Sequence, residues 1–300
     1  MAENKIALLP DRGVVSVTGA DAAKLLQGVI TNDMDHITEQ GALHAGLLSP
    51  QGKILFEFFV VPSPDGFLLE TARAKAGELG ERLKMYRLRA DADIRDVSPD
   101  YTVAAIWGGG EYAPRGDGPA PLWFADPRLP ALGHRELATL RSDWALYAED
   151  ADSATQDEYH AHRIALGVPE GGKDYAFGDV FAHEALFDQL NGVSFEKGCY
   201  VGQEIVSRMQ NRGTARRRIV PVVAEATLPV SGTAITAAGI EIGTLGSVAG
   251  ARGLAPIRLD RAAEFLEKGE TLHAGDIPIR IDIPTWARFS LEVKAPGSPA

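Results

Sequence analysis

A single cysteine, Cys199, stands in a chain of 300 residues, inside the stretch FEKGCYVGQEIVSR at 195–208. A thiolate is a strong nucleophile and a soft metal ligand, so the first question is whether this thiol is placed to react. Free cysteine most often packs as a small buried apolar group. Here Gly198 and Gly202 bracket it, and glycine permits a sharp turn or the close approach of backbone to a ligand. Residues 202–209 read as a short helix, with Glu204 early and Arg208 late, as the helix dipole favours, and Asn211 and Gly213 to end it. The thiol then lies near the positive start of a helix, where Lys197 also favours thiolate and Glu196 opposes it. Each polar neighbour has two readings. Lys197, Gln203 and Glu204 can contact a ligand, or be a solvated lysine and a helix cap; Tyr200 can stack on a ring or pack in a core.

Arg208, Arg212, Arg216, Arg217 and Arg218 fall within eleven residues that contain no acidic side chain. A solvated strand start or domain interface is the plain reading, and an anion site the sharper one. The chain as a whole carries a net charge of -11, which argues against general nucleic-acid binding, since that depends on neutralising phosphates. One cysteine excludes an intramolecular disulfide framework and a metal site built from several cysteines of one chain. A cluster touched by Cys199 would need ligands from another molecule. His160 and His162 are two apart on a helical stretch, point to different faces, and do not make one metal site. The expected setting is a reducing compartment. The start MAENKIALLP has no basic, apolar signal pattern, so a cytoplasmic location is expected, and the apolar run ILFEFFVV is short and broken by Glu57, so no membrane partner is expected.

The composition, 45% hydrophobic and 24% charged, is that of a globular protein able to bury a core. VVSVTG (14–19) is a strand, and Asp21 can cap a short helix through Leu25 and Leu26. LHAGLL, the turn SPQGK, ILFEFFVV, the turn PSPDG and FLLET form a strand meander. Leu79, Leu83 and Tyr86 make one apolar face of a helix over 74–88. ADADIRDV and TVAAIW are strands. GGGEYAPRGDGPAP (108–121) is a loop without the spacing of a dinucleotide site. Residues 153–166 form a helix capped by Ser153 or Thr155. After Arg218 the texture turns to short β runs punctuated by glycine and proline, with a helix near 261–267 and a disordered tail APGSPA, which suggests a small antiparallel barrel or sandwich. The expected division is an α+β region over 1–212, in two subdomains, and a β-barrel over 213–300.

KGCYVGQE (197–204) resembles the signature of the YgfZ proteins, folate-binding relatives of the glycine cleavage T-protein. The resemblance extends through VTGADAAKLLQGVITND (17–33), LLSPQGKILFEFFV (47–60), LKMYRLRADADI (83–94), RIALGVPEG (163–171) and the RRR at 216–218. It implies an α+β fold, a T-protein-like ring of two α+β regions with a C-terminal antiparallel β-barrel, and a site for tetrahydrofolate or another reduced folate. It also implies a role in assembly, insertion or repair of iron-sulfur clusters, with client proteins or cluster assembly factors as partners. Cys199 is then the functional thiol. The cofactor-binding candidates are Lys197, Tyr200, Gln203, Glu204, Asn32, Asp33, Glu184 and Arg208, and the arginines of 208–218 would meet the glutamate tail of a folate through charge-assisted hydrogen bonds.

The T-protein branch carries paired aspartates where this chain has Phe56 and Glu57. A phenylalanine can neither take a proton nor hold an ammonium, which argues against ordinary aminomethyl transfer unless Glu57 substitutes. On an alternating strand those two side chains face opposite sides, which makes substitution harder. Three readings follow: a folate-binding accessory factor for iron-sulfur proteins, a folate-dependent one-carbon transferase of the T-protein type, and a scaffold in which Cys199 is structural.

Overall fold

The computed structural model describes residues 4–37, 41–109, 122–139, 151–213 and 215–291. Most of the glycine- and proline-rich stretch 108–121 and the tail APGSPA lie outside these. Contacts divide the chain into two compact units, Met1–Tyr159 with Leu190–Ile205, and His160–Gln189 with Val206–Ala300. The division interleaves the chain, so that 160–189 counts with the barrel strands.

The first unit holds two sheets. β1 (Asn4–Leu8), β2 (Arg12–Thr18), α1 (Ala22–Val29), β3 (Leu43–Leu48), β4 (Ile54–Ser63), β5 (Gly66–Ala72), α2 (Arg73–Arg87), β6 (Asp93–Asp96), β7 (Tyr101–Trp107), β8 (Leu122–Ala125), β9 (His134–Thr139) and β10 (Ala151–Ser153) follow in chain order. One sheet is the antiparallel set β3-β4-β5-β2-β6, and the other runs β10-β1-β7-β9-β8 with β1 and β10 parallel. The meander expected from LHAGLL to FLLET is β3 to β5, its strand period putting alternate residues on opposite faces. Phe56, Phe58 and Val60 join Leu25, Leu26, Leu79 and Leu83 in the core under the helices. Phe59 and Val61 meet Val103, Trp107 and Leu137 of the second sheet.

That second core also encloses charge. Arg12 Nε donates to Glu70 Oε1 at 2.6 Å, and Arg128 makes a bidentate pair with Asp126 at 3.0 and 2.7 Å. Arg128 and Arg135 both donate to the Tyr159 hydroxyl. Burial alone would raise the Asp126 carboxyl, but the two guanidinium groups outweigh it and hold it below its ordinary range. Buried charges persist where they are paired and hydrogen-bonded in this way.

The helices differ in how they start. Asp21 precedes α1 without capping it; its carboxylate instead accepts from the Asp91 amide at 2.8 Å. At α3 (Gln156–Ala165) Thr155 and Glu158 exchange hydrogen bonds, Thr155 N to Glu158 Oε2 at 2.8 Å and Glu158 N to Thr155 Oγ1 at 3.2 Å. This reciprocal cap settles the choice between Ser153 and Thr155, since Ser153 ends β10.

In the second unit, β11 (Arg217–Val223), β12 (Ala234–Ala237), β13 (Ile240–Thr244), β15 (Arg252–Arg258), β16 (Leu272–Ala274) and β17 (Ile277–Ile281) form a ring in the order β11-β17-β16-β12-β13-β15. The pairing of β15 with β11 closes it, and β14 (Val248–Ala249) adds to β15. Closure leaves no sheet edge in the ring. α4 (Gln203–Arg212) precedes the barrel, and α5 (Leu259–Glu267) follows β15. Arg163, fully buried, donates to Asp174 at 2.6 Å and to Ser247 at 2.9 Å, tying the RIALGVPEG segment to a barrel loop.

Candidate functional site

The end of α1 leaves backbone carbonyls without intrahelical partners, as every helix C-terminus does. Lys197 meets them. Its Nζ donates to Gln27 O at 2.8 Å, Ile30 O at 2.8 Å and Asn32 O at 2.7 Å, which spends all three N–H donors. A cation at a helix C-terminus is also favoured by the helix dipole. Burial pulls the ammonium down to about 8, with Asp33 and Asp35 opposing. The Tyr200 ring lies 5.3 Å from Nζ, and its own hydroxyl is pushed up to about 12 by burial. Lys197 is therefore an inward pin rather than a solvated lysine, and its donors are not left over for the thiol two residues on.

The Thr31-Asn32-Asp33 segment is stitched in the same manner. Thr31 Oγ1 donates to Gly192 O at 2.6 Å and accepts from Gly46 N at 2.8 Å. Asn32 Nδ2 donates to His44 O at 2.8 Å and Asn191 O at 2.7 Å, while Asn32 Oδ1 accepts from Asp33 N at 2.8 Å. Asp33 Oδ1 accepts from Asp35 N and Gln27 Nε2. The Asp35 amide is the main reason its carboxyl lies below the ordinary value. The first unit thus brings Asn32, Asp33, Lys197 and Tyr200 together around the end of α1.

Between the pins the loop faces outward. Lys197 and Tyr200 are buried, whereas Phe195, Glu196, Gly198 and Cys199 are exposed. Gly202 has φ +83°, and a Cβ there would stand 2.7 Å from Ser49 O. Gly52, at φ +79° in the turn after β3, would put a Cβ 2.7 Å from Ile205 Cβ. The two glycines let the turn and the signature loop close on each other. Gly198 differs: it is not among the positive-φ glycines, and a Cβ on it would meet nothing within 4 Å. Gln203 and Glu204 open α4, half-buried and exposed respectively.

One pair beside this frame was not singled out from the sequence as a unit. Buried His44 places Nδ1 2.9 Å from Leu190 O and Nε2 3.1 Å from Glu57 Oε1. A carbonyl only accepts, so Nδ1 carries a hydrogen. Phe56 lies in the core on the opposite face of β4, as strand alternation demands, so Glu57 does not occupy the position of a first aspartate. The signal for His44 was a polar residue in an otherwise apolar strand, LHAGLL.

Glu184 and Arg208 belong to the second unit. Glu184 accepts from Arg217 at 3.1 and 3.2 Å and from Phe181 N at 2.9 Å, and so is engaged rather than exposed. Arg218 makes a bidentate pair with Asp188 at 2.9 Å. Of the five clustered arginines, Arg208, Arg212 and Arg216 are the exposed ones.

A reduced folate offers N–H donors on its pterin and carboxylates on its tail. Of the candidates, Asn32 and Lys197 have spent their polar groups locally. Gln203, Glu204 and the second oxygen of Asp33 retain acceptors suited to pterin N–H groups, and exposed arginines suit a tail carboxylate. A cleft of about 550 Å³ in the first unit, lined by Ser16, Asp65, Asp93, Arg95 and Tyr101, includes none of the candidates.

Residues 216–289 match the family model described as CAF17, C-terminal beta-barrel domain. The iron-sulfur cluster assembly factor IBA57 of Homo sapiens is 31% identical, covering 93% of this chain and 84% of that protein. The IBA57 homolog of Mycosarcoma maydis is 36% identical over 73% of this chain and 57% of its own length, and that of Neurospora crassa 32% over 72% and 52%. The chain thus spans little more than half the length of these fungal relatives. Among solved structures, the glycine cleavage system aminomethyltransferase T from Bartonella henselae superposes with a TM-score of 0.74 over 95% of this chain and 86% of its own, at 13% identity. That likeness establishes the T-protein fold, mixed α and β with the closed barrel. The relatives are named mitochondrial, which overturns the cytoplasmic location expected from the sequence. A lone thiol suits any reducing compartment and discriminates none of them.

Proposed function

The chain belongs to the IBA57 family of iron-sulfur cluster assembly factors, and from that premise we propose that it assists cluster assembly on client proteins, with Cys199 as the working thiol and a reduced folate as its small-molecule ligand. The observation that carries the reading is the exposed thiol on a loop pinned from beneath by Lys197. A single cysteine cannot hold a cluster alone, so the remaining ligands come from the partner, and the cluster is cargo. Fixing the loop on both sides of Cys199 lowers the conformational cost of ordering the thiol when the partner docks. Gly198, beside the thiol, stands in open space, since a Cβ on it would meet nothing within 4 Å.

The folate part, and with it the narrower likeness to YgfZ, rests on the resemblance of KGCYVGQE and on the T-protein fold. When bound, folate would supply one-carbon chemistry. In this chain Gln203, Glu204 and Asp33, all of the first unit, would orient the pterin. Phe56 in the core disfavours aminomethyl transfer.

Anaerobic calorimetric titration of wild type and Cys199→Ala with tetrahydrofolate, beside maturation of iron-sulfur enzymes in cells lacking the endogenous relative, tests both parts. Expected are equal folate binding by both proteins and loss of maturation by Cys199→Ala with its melting curve unchanged. Full maturation by a folded Cys199→Ala would sink the thiol's role, and no titration heat from wild type would sink the folate's.

A further inference from the structure

The segment KMYRLR at 84–89 closes α2 and is not used by the cluster or folate reading. Leu88, 86% exposed, is the most exposed large apolar side chain among the described residues, and Met85, three positions earlier, is 67% exposed. Leu88 also sits at φ 47°, ψ -104°, a conformation that suits glycine and that a leucine holds only under strain. The chain bends back directly after it, Ala90 N donating to Arg87 O at 2.8 Å. Strain and exposure are separate observations with one result: an apolar side chain is turned to solvent where relaxation would release it.

Around this pair stand cations. Lys84, Arg87 and Arg89 are exposed, and no acidic residue occurs from 82 to 90. Lys84 pairs with Glu81 at 2.8 Å, and Arg87 donates to Ala92 O at 3.2 Å, which holds both alongside the tip. Tyr86, between them, packs on the core and anchors the segment from below.

We propose that this tip rests on an anionic lipid surface, with Met85 and Leu88 entering the interface and Arg87 and Arg89 meeting the headgroup phosphates. Paired apolar insertion and cationic contact is the combination that holds proteins on bilayers without spanning them. A bilayer also asks for no complementary shape, which suits side chains that project rather than line a groove; neither the cleft bounded by Ser16 and Tyr101 nor that bounded by Arg216 and Glu267 reaches them. The net charge of -11 does not forbid it. At physiological salt the Debye length is about 8 Å, so the charges near the tip decide the contact. Among the described residues no helix is long and apolar enough to cross a membrane, which concerns spanning alone, and the tip departs from the sequence expectation of no membrane partner.

Vesicle flotation tests it, with the full chain and vesicles of phosphatidylcholine alone or mixed with phosphatidylglycerol. Wild type should co-float with the mixed vesicles at low salt, with the neutral ones hardly at all, and should be released near 1 M salt. Met85→Ser/Leu88→Ser should weaken partition about tenfold or more, since one large apolar side chain withdrawn from water is worth about that much, and Arg87→Glu/Arg89→Glu should weaken it about tenfold or more by replacing attraction to the anionic surface with repulsion. Leu88→Gly separates strain from contact: it should raise the unfolding midpoint while weakening partition. No co-flotation of wild type, or flotation untouched by both double variants, overturns the proposal. If wild type ignores vesicles but is retained on immobilised poly-glutamate through the same residues, the occupant is an acidic protein and the lipid assignment falls.

Discussion

The ammonium of Lys197 ends on three carbonyls at the close of α1, and removing it leaves buried acceptors without partners. Lys197→Met should cost about 2–4 kcal/mol in urea unfolding, and Lys197→Arg should recover little, because a planar guanidinium does not reproduce a compact three-donor cap. Asp33 has a folded value below the unfolded 3.8, set first by the Asp35 amide. Its stabilising contribution is therefore complete above that value and lost as pH falls through the folded one. Asp33→Asn should flatten the stability profile below about pH 4. His183 is depressed from 6.5 by burial, so the unfolded chain takes up its proton first and stability falls as pH drops below about 6.5; a pH series of urea midpoints on His183→Gln should lack that limb. The polar identities around Cys199 could be read from the sequence, but their directions could not. A lysine two residues from a cysteine gives no sign of pointing inward until the end of another helix, some 170 residues away, is in place.

Elements were more legible than site geometry. Turn residues between apolar runs marked β3 to β5, and a period of two set Phe56 and Glu57 on opposite faces, but that both faces of β4 are buried, Phe56 in one core and Phe59 in another, shows only once the second sheet is in place; glycine- and proline-punctuated β runs signalled the barrel before any pairing was known. Barrel closure was not legible as such: it rests on β11 meeting β15 across an intervening stretch with no local mark. Glycines show the same divide. All of those near Cys199 look alike in sequence, yet Gly202 is required by its own backbone and by Ser49 O, whereas Gly198 has open space. Gly202→Ala should cost about 1–3 kcal/mol, and Gly198→Ala should leave the unfolding midpoint within about 0.5 kcal/mol. Loss of client maturation in Gly198→Ala despite a native midpoint would mean that the missing side chain matters to the partner.

At the scale of the whole molecule, a net charge of -11 and a sequence pI of about 5.1 keep copies of the chain apart at neutral pH. Solubility should pass through its minimum near pH 5 in precipitation assays and recover on either side. The broader kinship with T-protein-like iron-sulfur factors was legible in the signature and its spread along the chain, whereas IBA57 membership rests on the relatives. Location was not legible, because nothing in an amino-acid composition distinguishes one reducing compartment from another. The His44 ring also acts as a rivet. It touches Leu190 O through Nδ1 and Glu57 Oε1 through Nε2, so a single side chain of β3 joins β4 to the stretch that leads into the signature loop. His44→Ala should therefore lower the urea unfolding midpoint and loosen the loop as well, which hydrogen exchange at residues 190–200 would read.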